Sequence, residues 1–208
     1  MLDIVKGRRS IRRYEPRPVP PALVRELLEA AIFAPSPHNR QPWRFAVLTE
    51  LPAKERLADD MGARLRADRT RDGDPPDAIE ADVARSRARI CGAPVAILAA
   101  LTMADMDLYE DAARSAAEHR MAVQATAAAI QNLLLTAHAR GLGASWMCAP
   151  LFCPEVVRAA LGLPEDWQPQ ALITLGFPAA PGRERPRRPL SDSVLWLDSP
   201  PGEALSKI

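Results

Sequence analysis

Ala34-Pro35-Ser36-Pro37-His38-Asn39-Arg40-Gln41-Pro42-Trp43 is the stretch on which the reading of the fold turns. Pro35, Pro37 and Pro42 exclude a continuous helix, because each removes a backbone donor and clashes with the preceding turn. Before this stretch, Leu23, Val24, Leu27, Leu28, Ala31 and Ile32 recur at helical spacing, and Pro20-Pro21 suits the first turn of such a helix. After it, Trp43-Arg44-Phe45-Ala46-Val47-Leu48 reads as a strand. A stiff polar loop between an apolar helix and an apolar strand is a place where ligand contacts are displayed.

Outward toward the N-terminus, residues 1 to 7 read as a short helix entering Arg8-Arg9-Ser10-Ile11-Arg12-Arg13. Guanidinium forks match phosphate oxygens with paired charge-assisted bonds, and a neighbouring serine adds a short donor. Toward the C-terminus, Arg183, Arg185, Arg187 and Arg188 alternate with prolines that stiffen the backbone presenting them. Either cluster alone reads more readily as a solvated basic segment. Two of them in a chain of net charge +1 suggest one anion gripped from both chain ends.

Between these ends, Leu51 to Arg69 and Asp77 to Arg89 read as charged amphipathic helices around the loop Arg71-Asp72-Gly73-Asp74-Pro75-Pro76. Residues 51 to 90 are thus a candidate mobile helical flap. Ala93 to Leu101 reads as a buried strand, and Asp111 to Arg140 as a long alanine-rich helix stopped at Gly141. On that helix a face of Met121, Ala125, Ala128, Ile130, Leu134 and Leu135 is small enough for another helix to approach closely. Ala144 to Met147 and Gln170 to Leu175 complete the strands, and Pro154 to Leu161 is a short helix. The expectation is one α+β domain over residues 1 to 208, rich in helix, with a sheet of four or five strands.

Composition narrows the function. With 48% hydrophobic and 25% charged residues, the 208-residue chain is long enough to bury a sizeable core. Net charge +1 and 5% aromatic residues argue against a nucleic-acid partner, and no stretch approaches the ~20 apolar residues of a membrane span. The residues after Met1 lack the apolar core of a secretory leader. Cys91, Cys148 and Cys153 offer neither a zinc spacing nor an even disulfide count, which points to a cytoplasmic protein with reduced thiols. Neither a dinucleotide-binding glycine fingerprint nor a P-loop occurs. His119 and His138 fall on the long helix as structural residues, leaving His38 as a loop residue suited to lining a substrate. No Ser/His/Asp or Cys/His constellation is evident.

Taken in order, these motifs resemble the nitroreductase-like flavoproteins. Arg8-Arg9-Ser10-Ile11-Arg12-Arg13-Tyr14 resembles their RRSxRxF opening, and Ala34 to Phe45 their APSxxNxQPWxF loop. Ala129 to Leu135 with Gly141-Leu142-Gly143 resembles the central helix and its exit. Gly176-Phe177-Pro178, followed by Arg185-Pro186-Arg187-Arg188-Pro189-Leu190, resembles the terminal segment. Within the class, Asp72-Gly73, Glu118 to Met121, Leu151 to Arg158 and Leu163 to Pro169 look most like the reductase-like C-terminal domain of the bifunctional enzyme of coenzyme F420 biosynthesis. His38-Asn39-Arg40-Gln41 departs from that domain's usual quartet.

The resemblance implies a nitroreductase-like fold, with a mostly antiparallel central sheet flanked by helices and a homodimer with the long helix at its interface. It implies FMN as cofactor, NAD(P)H as transient electron donor, and a small-molecule electron acceptor reduced by a ping-pong mechanism through flavin N5. Arg8, Ser10, Arg12 and Arg187 would hold the flavin phosphate and ribityl chain, assisted by Arg185 or Arg188, with Arg9 near the pyrimidine edge. Pro35, Ser36, Pro37 and Asn39 would reach the same flavin from the second protomer. Cys148, Pro150 and Leu151 would lie against the ring, and His38 and Arg40 would line the substrate. No catalytic side chain and no metal are implied.

Overall fold

The computed structural model describes residues 1–197. Four strands form one sheet: β1 (Trp43–Leu48), β2 (Val95–Leu101), β3 (Gly143–Met147) and β4 (Gln168–Gly176), in the order β1-β2-β4-β3. Every pairing is antiparallel. Six helices surround it: α1 (Leu2–Gly7), α2 (Pro21–Ala31), α3 (Leu51–Arg71), α4 (Pro76–Cys91), α5 (Ala112–Ala139) and α6 (Pro154–Leu161). The fold is therefore the expected α+β class, an antiparallel sheet flanked by helices, with four strands among the described residues.

Strand periodicity divides the core into two layers. Val95, Ile97 and Ala99 of β2, with Ala171, Ile173 and Leu175 of β4, face α2 and α5. The alternate residues Ala96, Leu98 and Leu172 face α3 and α6. All of β2 is buried, which explains why its sequence is continuously apolar rather than alternating. The strand starts at Val95, two residues later than its apolar run suggests, because Pro94 has no N–H for the ladder.

Helix α5 opens on Asp111, whose side chain accepts a hydrogen bond from the Arg114 N–H at 2.8 Å. It buries Ala122, Ala125, Thr126, Ala129, Ile130, Leu133, Leu134 and Ala137, while Met121, Ala128 and Leu135 stay partly exposed. Of the small-residue face, Ala125, Ile130 and Leu134 thus turn into the core, and Met121, Ala128 and Leu135 lie at its margin. Alanine occurs all around this helix, so small residues do not mark which side is covered. The helix that approaches within the protomer is α2, and Asn132 Nδ2 donates to the Ala30 carbonyl at 3.3 Å.

Helices α3 and α4 form an antiparallel hairpin. Leu57, Ala58 and Met61 of α3 and Ile90 of α4 are buried in the second core layer. Arg66 pairs with Glu80, Arg87 with Glu55 and Asp59, and Arg69 with Asp74 and Asp82. The base of the hairpin is stapled by Lys54, whose buried amine donates to the carbonyls of Ala93 at 2.7 Å and Pro94 at 3.3 Å. Burial holds the Lys54 pKa below the usual lysine range. No helix among the described residues is long and apolar enough to cross a membrane.

Candidate functional site

The chain after α1 runs along the outer edge of β3 and then crosses the end of the sheet. Ser10 bridges Ala144 in parallel, and the Ile11 N–H donates to the Ala144 carbonyl at 2.9 Å. The strap lies so close to β3 that a Cβ at Gly143 would sit 2.6 Å from Ile11 Cβ. Further on, the strap pairs with the segment leaving β4. Glu15 N–H donates to the Phe177 carbonyl at 2.9 Å, and Ala179 N–H to the Arg13 carbonyl at 3.1 Å. Arg17 stacks its guanidinium 3.3 Å from the centre of the Phe177 ring. These contacts carry the C-terminal arginines back onto the N-terminal ones.

The result is an open cleft of about 870 Å³. Arg8, Arg9, Ser10 and Arg12 line one side, and Arg183, Arg185 and Arg187 the other, with Lys6 at the end of α1. The one acid on this wall, Glu184, is engaged 3.2 Å from Arg9. Arg12 has no ion pair among the described residues and Arg8 none either, so the cleft keeps a surplus of positive charge. Such a donor set is suited to a phosphate dianion, which accepts several charge-assisted bonds at once. Arg188 is exposed and is not on this wall.

Tyr14 anchors the strap. Its Oη lies 2.6 Å from the Ile11 carbonyl, 2.9 Å from the Thr174 carbonyl and 2.8 Å from Thr174 Oγ1. The single phenolic proton serves a carbonyl while the threonine hydroxyl donates back. Burial pushes the Tyr14 pKa up to about 12, against weaker opposing effects of the Thr174 hydrogen bond and the Arg12 charge. A folded pKa above the unfolded value of 10.0 means that this stability is fully present below pH 10 and is lost as pH rises toward 12. Denaturant titrations from neutral to alkaline pH should show up to about 3 kcal/mol lost over that window. Tyr14→Phe should remove that slope and cost about 1–3 kcal/mol at neutral pH. An alkaline slope unchanged in the variant would show that Tyr14 is not its source.

The loop Ala34 to Pro42 lies elsewhere on the protomer and does not line the cleft. Pro37, His38 and Asn39 make a single 3₁₀ turn, which Pro37 permits because it stands at the first position. His38, Asn39 and Gln41 have φ of 47°, 56° and 51°, a left-handed run that non-glycine residues adopt only under constraint. Ser36 supplies part of that constraint by accepting the Gln41 N–H on its Oγ at 3.0 Å. Arg40 is paired with Asp107, and Arg44 with Asp105 at 3.2 Å, tying the loop to the segment after β2. Pro35 is exposed at the head of the turn.

Cys148, Pro150 and Leu151 lie at the far end of β3 from Ser10. Cys148 is exposed, Pro150 is buried, and Leu151 is half-exposed at the turn Ala149–Phe152. With a strand rise of ~3.3 Å per residue, the Ala144 and Cys148 positions are about 13 Å apart. Within one protomer the structure therefore brings together the two arginine clusters. It leaves the 34–42 loop and the 148–151 turn as separate surfaces.

Lys6 and the Tyr14 anchor were not legible as site residues in the sequence. Nothing local marks Lys6 apart from other surface lysines, and nothing local distinguishes an anchoring phenol from a core one. Fold and cleft together define an α+β protein with an arginine-lined cleft where its two chain ends meet. The chain belongs to the nitroreductase family, whose model, described as "Nitroreductase family", matches residues 5–177, and it is an oxidoreductase. Arg183, Arg185 and Arg187 fall outside the matched residues.

An NADH dehydrogenase of Thermus thermophilus is 34% identical over 213 aligned positions, covering 91% of this chain and 92% of its own. A solved structure from Desulfovibrio desulfuricans, described as a nitroreductase in complex with FMN, is 33% identical, covers 96% of this chain and 97% of its own, and superposes with a TM-score of 0.72. A nitroreductase-like protein from Bacillus cereus shares the fold at a TM-score of 0.74 with 21% identity, covering 95% of this chain and 96% of its own.

Proposed function

We propose that the protein is an FMN-dependent oxidoreductase that moves reducing equivalents from NADH or NADPH to an electron-poor small molecule, such as a nitroaromatic, a quinone or a conjugated carbonyl compound. The carrying observation is the meeting of both arginine clusters on one cleft whose single acid is already paired. FMN ends in a phosphate that such a wall fits. The Desulfovibrio relative is described with FMN, and the Thermus relative is named for NADH, which supports the same reading.

FMN, when bound, supplies the two-electron chemistry, and the side chains are left to bind, orient and shield. Arg8, Ser10, Arg12 and Arg187 hold the phosphate end, with Arg185 beside them on the wall. Cys148, Pro150 and Leu151, about 13 Å along β3, present backbone and apolar surface where a ring joined to that phosphate by a ribityl chain would lie. Arg9 places positive charge near the ring's pyrimidine edge, moderated by Glu184. Donor and acceptor then share one open face in turn, which is a ping-pong order.

The other wall comes from a second copy of the chain. Phe33 is 85% exposed and Leu108 92% exposed on the isolated protomer, and Phe152, Leu195 and Leu197 are similarly bare. Large apolar side chains uncovered in such number mark an interface. In the dimer, Pro35, Ser36, Pro37 and Asn39 of one protomer approach the flavin held by the other, with His38 and Arg40 toward the acceptor.

Size-exclusion chromatography with absorbance detection tests both parts. The expected result is a dimer carrying flavin bands near ~450 nm that bleach anaerobically with NADH or NADPH. A protein that cannot be reconstituted with FMN would overturn the reading. A monomer that retains the flavin would overturn the shared site.

A further inference from the structure

Glu118 is 1% exposed, on the face of α5 that one turn later carries Ala122 against Leu101 and Met106. A carboxylate in apolar surroundings is costly unless donors reach it. Among the described residues Glu118 has no cationic partner, and its Oε1 accepts the backbone N–H of Asp107 at 3.2 Å. It lines no wall of the arginine cleft.

Asp107 belongs to the segment 102–111 between β2 and α5, and its side chain pairs with Arg40. Arg44 pairs with Asp105 of the same segment at 3.2 Å, and the Thr102 N–H donates to the Pro42 carbonyl at 2.9 Å. The 37–41 turn therefore leans on this segment at three points. It needs such support, because His38, Asn39 and Gln41 hold positive φ, a conformation that persists only where the surroundings over-determine it. The segment has no helix or strand of its own. It is held at Ala104, whose N–H donates to Thr102 Oγ1 at 3.1 Å, and at Tyr109, whose carbonyl accepts from Ser115 Oγ at 2.8 Å. The third hold is Glu118, and it alone is charged and falls on the residue that grips Arg40.

We propose that Glu118 is a positioning residue for the electron acceptor. From its buried place in α5 it fixes the Asp107 backbone, Asp107 fixes the Arg40 guanidinium, and Arg40 sets the face that the turn presents. This rests on the reading of the protein as a flavin oxidoreductase whose acceptor meets His38 and Arg40. Arg40 is half-exposed and has N–H donors beyond the one given to Asp107. Held in one orientation, those donors suit the oxygens of a nitro or quinone group.

The test compares wild type, Glu118→Leu, Glu118→Gln, Arg40→Gln and the Glu118→Leu/Arg40→Gln double variant, with benzoquinone and para-nitrobenzoate as acceptor probes. Glu118→Leu should raise the acceptor KM about tenfold, with kcat and FMN affinity nearly unchanged. Its melting temperature should hold, since leucine suits the apolar surroundings that a carboxylate does not. Glu118→Gln, which keeps an oxygen for the Asp107 N–H, should recover most of the lost KM. Arg40→Gln should raise the KM as much as Glu118→Leu does, and the double variant no further, because both act through one contact. Trypsin should cut after Arg40 faster in Glu118→Leu than in wild type. A merely structural Glu118 would instead lower kcat and melting temperature and add its effect to that of Arg40→Gln. Acceptor KM and cleavage after Arg40 both as in wild type, in a Glu118→Leu protein that binds FMN, overturn the proposal while the flavin reading stands. Arg40→Gln with a wild-type KM overturns it too, whether or not Glu118→Leu folds. Wild type that takes up no FMN overturns the flavin reading, and the acceptor role with it.

Discussion

Replacing Arg8 and Arg187 together by alanine should strip FMN from the protein while leaving its affinity for riboflavin nearly unchanged. The two residues stand on opposite sides of the cleft and come from opposite ends of the chain. A hydrogen bond to a charged group contributes about 1.5–3 kcal/mol, so each single change should weaken FMN binding by roughly 10- to 150-fold. Arg187 is exposed and Arg8 half-buried, which places Arg187 at the low end of that range and makes its share fall as salt is raised. Removing like charges from an anion site should leave the flavin-free protein as stable as before, or slightly more so. Fluorescence titrations with FMN and riboflavin at two ionic strengths would check this. Equal losses for both flavins would mean that the substitutions damage the fold rather than the phosphate contact.

Gly182→Val should produce a comparable loss of FMN affinity without touching a charged residue. A Cβ at position 182 would lie 2.2 Å from Arg9 Cβ, 2.8 Å from Arg9 Cγ and 2.9 Å from Ile11 Cδ1. Arg9 Cβ is fixed to the strap backbone and cannot step aside as the tip of a long side chain can. The C-terminal segment must therefore lift away, taking Arg183, Arg185 and Arg187 off the wall. Because that segment is largely exposed, little apolar burial is lost, and the unfolding midpoint should move far less than the flavin affinity does. Trypsin should also cut after Arg183 and Arg187 faster than in wild type, Arg185 being shielded by Pro186. Wild-type affinity together with wild-type resistance to trypsin would show that the two chain ends do not need to meet.

The elements were legible where periodicity and breakers agree. Trp43–Leu48 and Pro154–Leu161 stand where their sequences place them, bounded by proline, and the long helix runs within a residue of its expected limits. Alanine obscured the orientation of that helix. Met121, Ala128 and Leu135 look as core-like as Ala125 and Leu134 do, yet only packing against α2 and the sheet decides which of them is covered. In the site, motif order singled out the arginines of both chain ends, but sequence distance gave no measure of their separation in space.

The sequence by itself determined the helices and strands, the α+β class and the residue types fit to hold a phosphate. These follow from local spacing, from proline and glycine, and from the chemistry of guanidinium. Only the tertiary structure decided that Arg8 and Arg187 share one cleft and that Tyr14 anchors the strap carrying Arg12. Those facts depend on which segments cross the end of the sheet. That is set by the burial of β2 and β4 and by close approaches at Gly143 and Gly182, long-range contacts that no local pattern encodes.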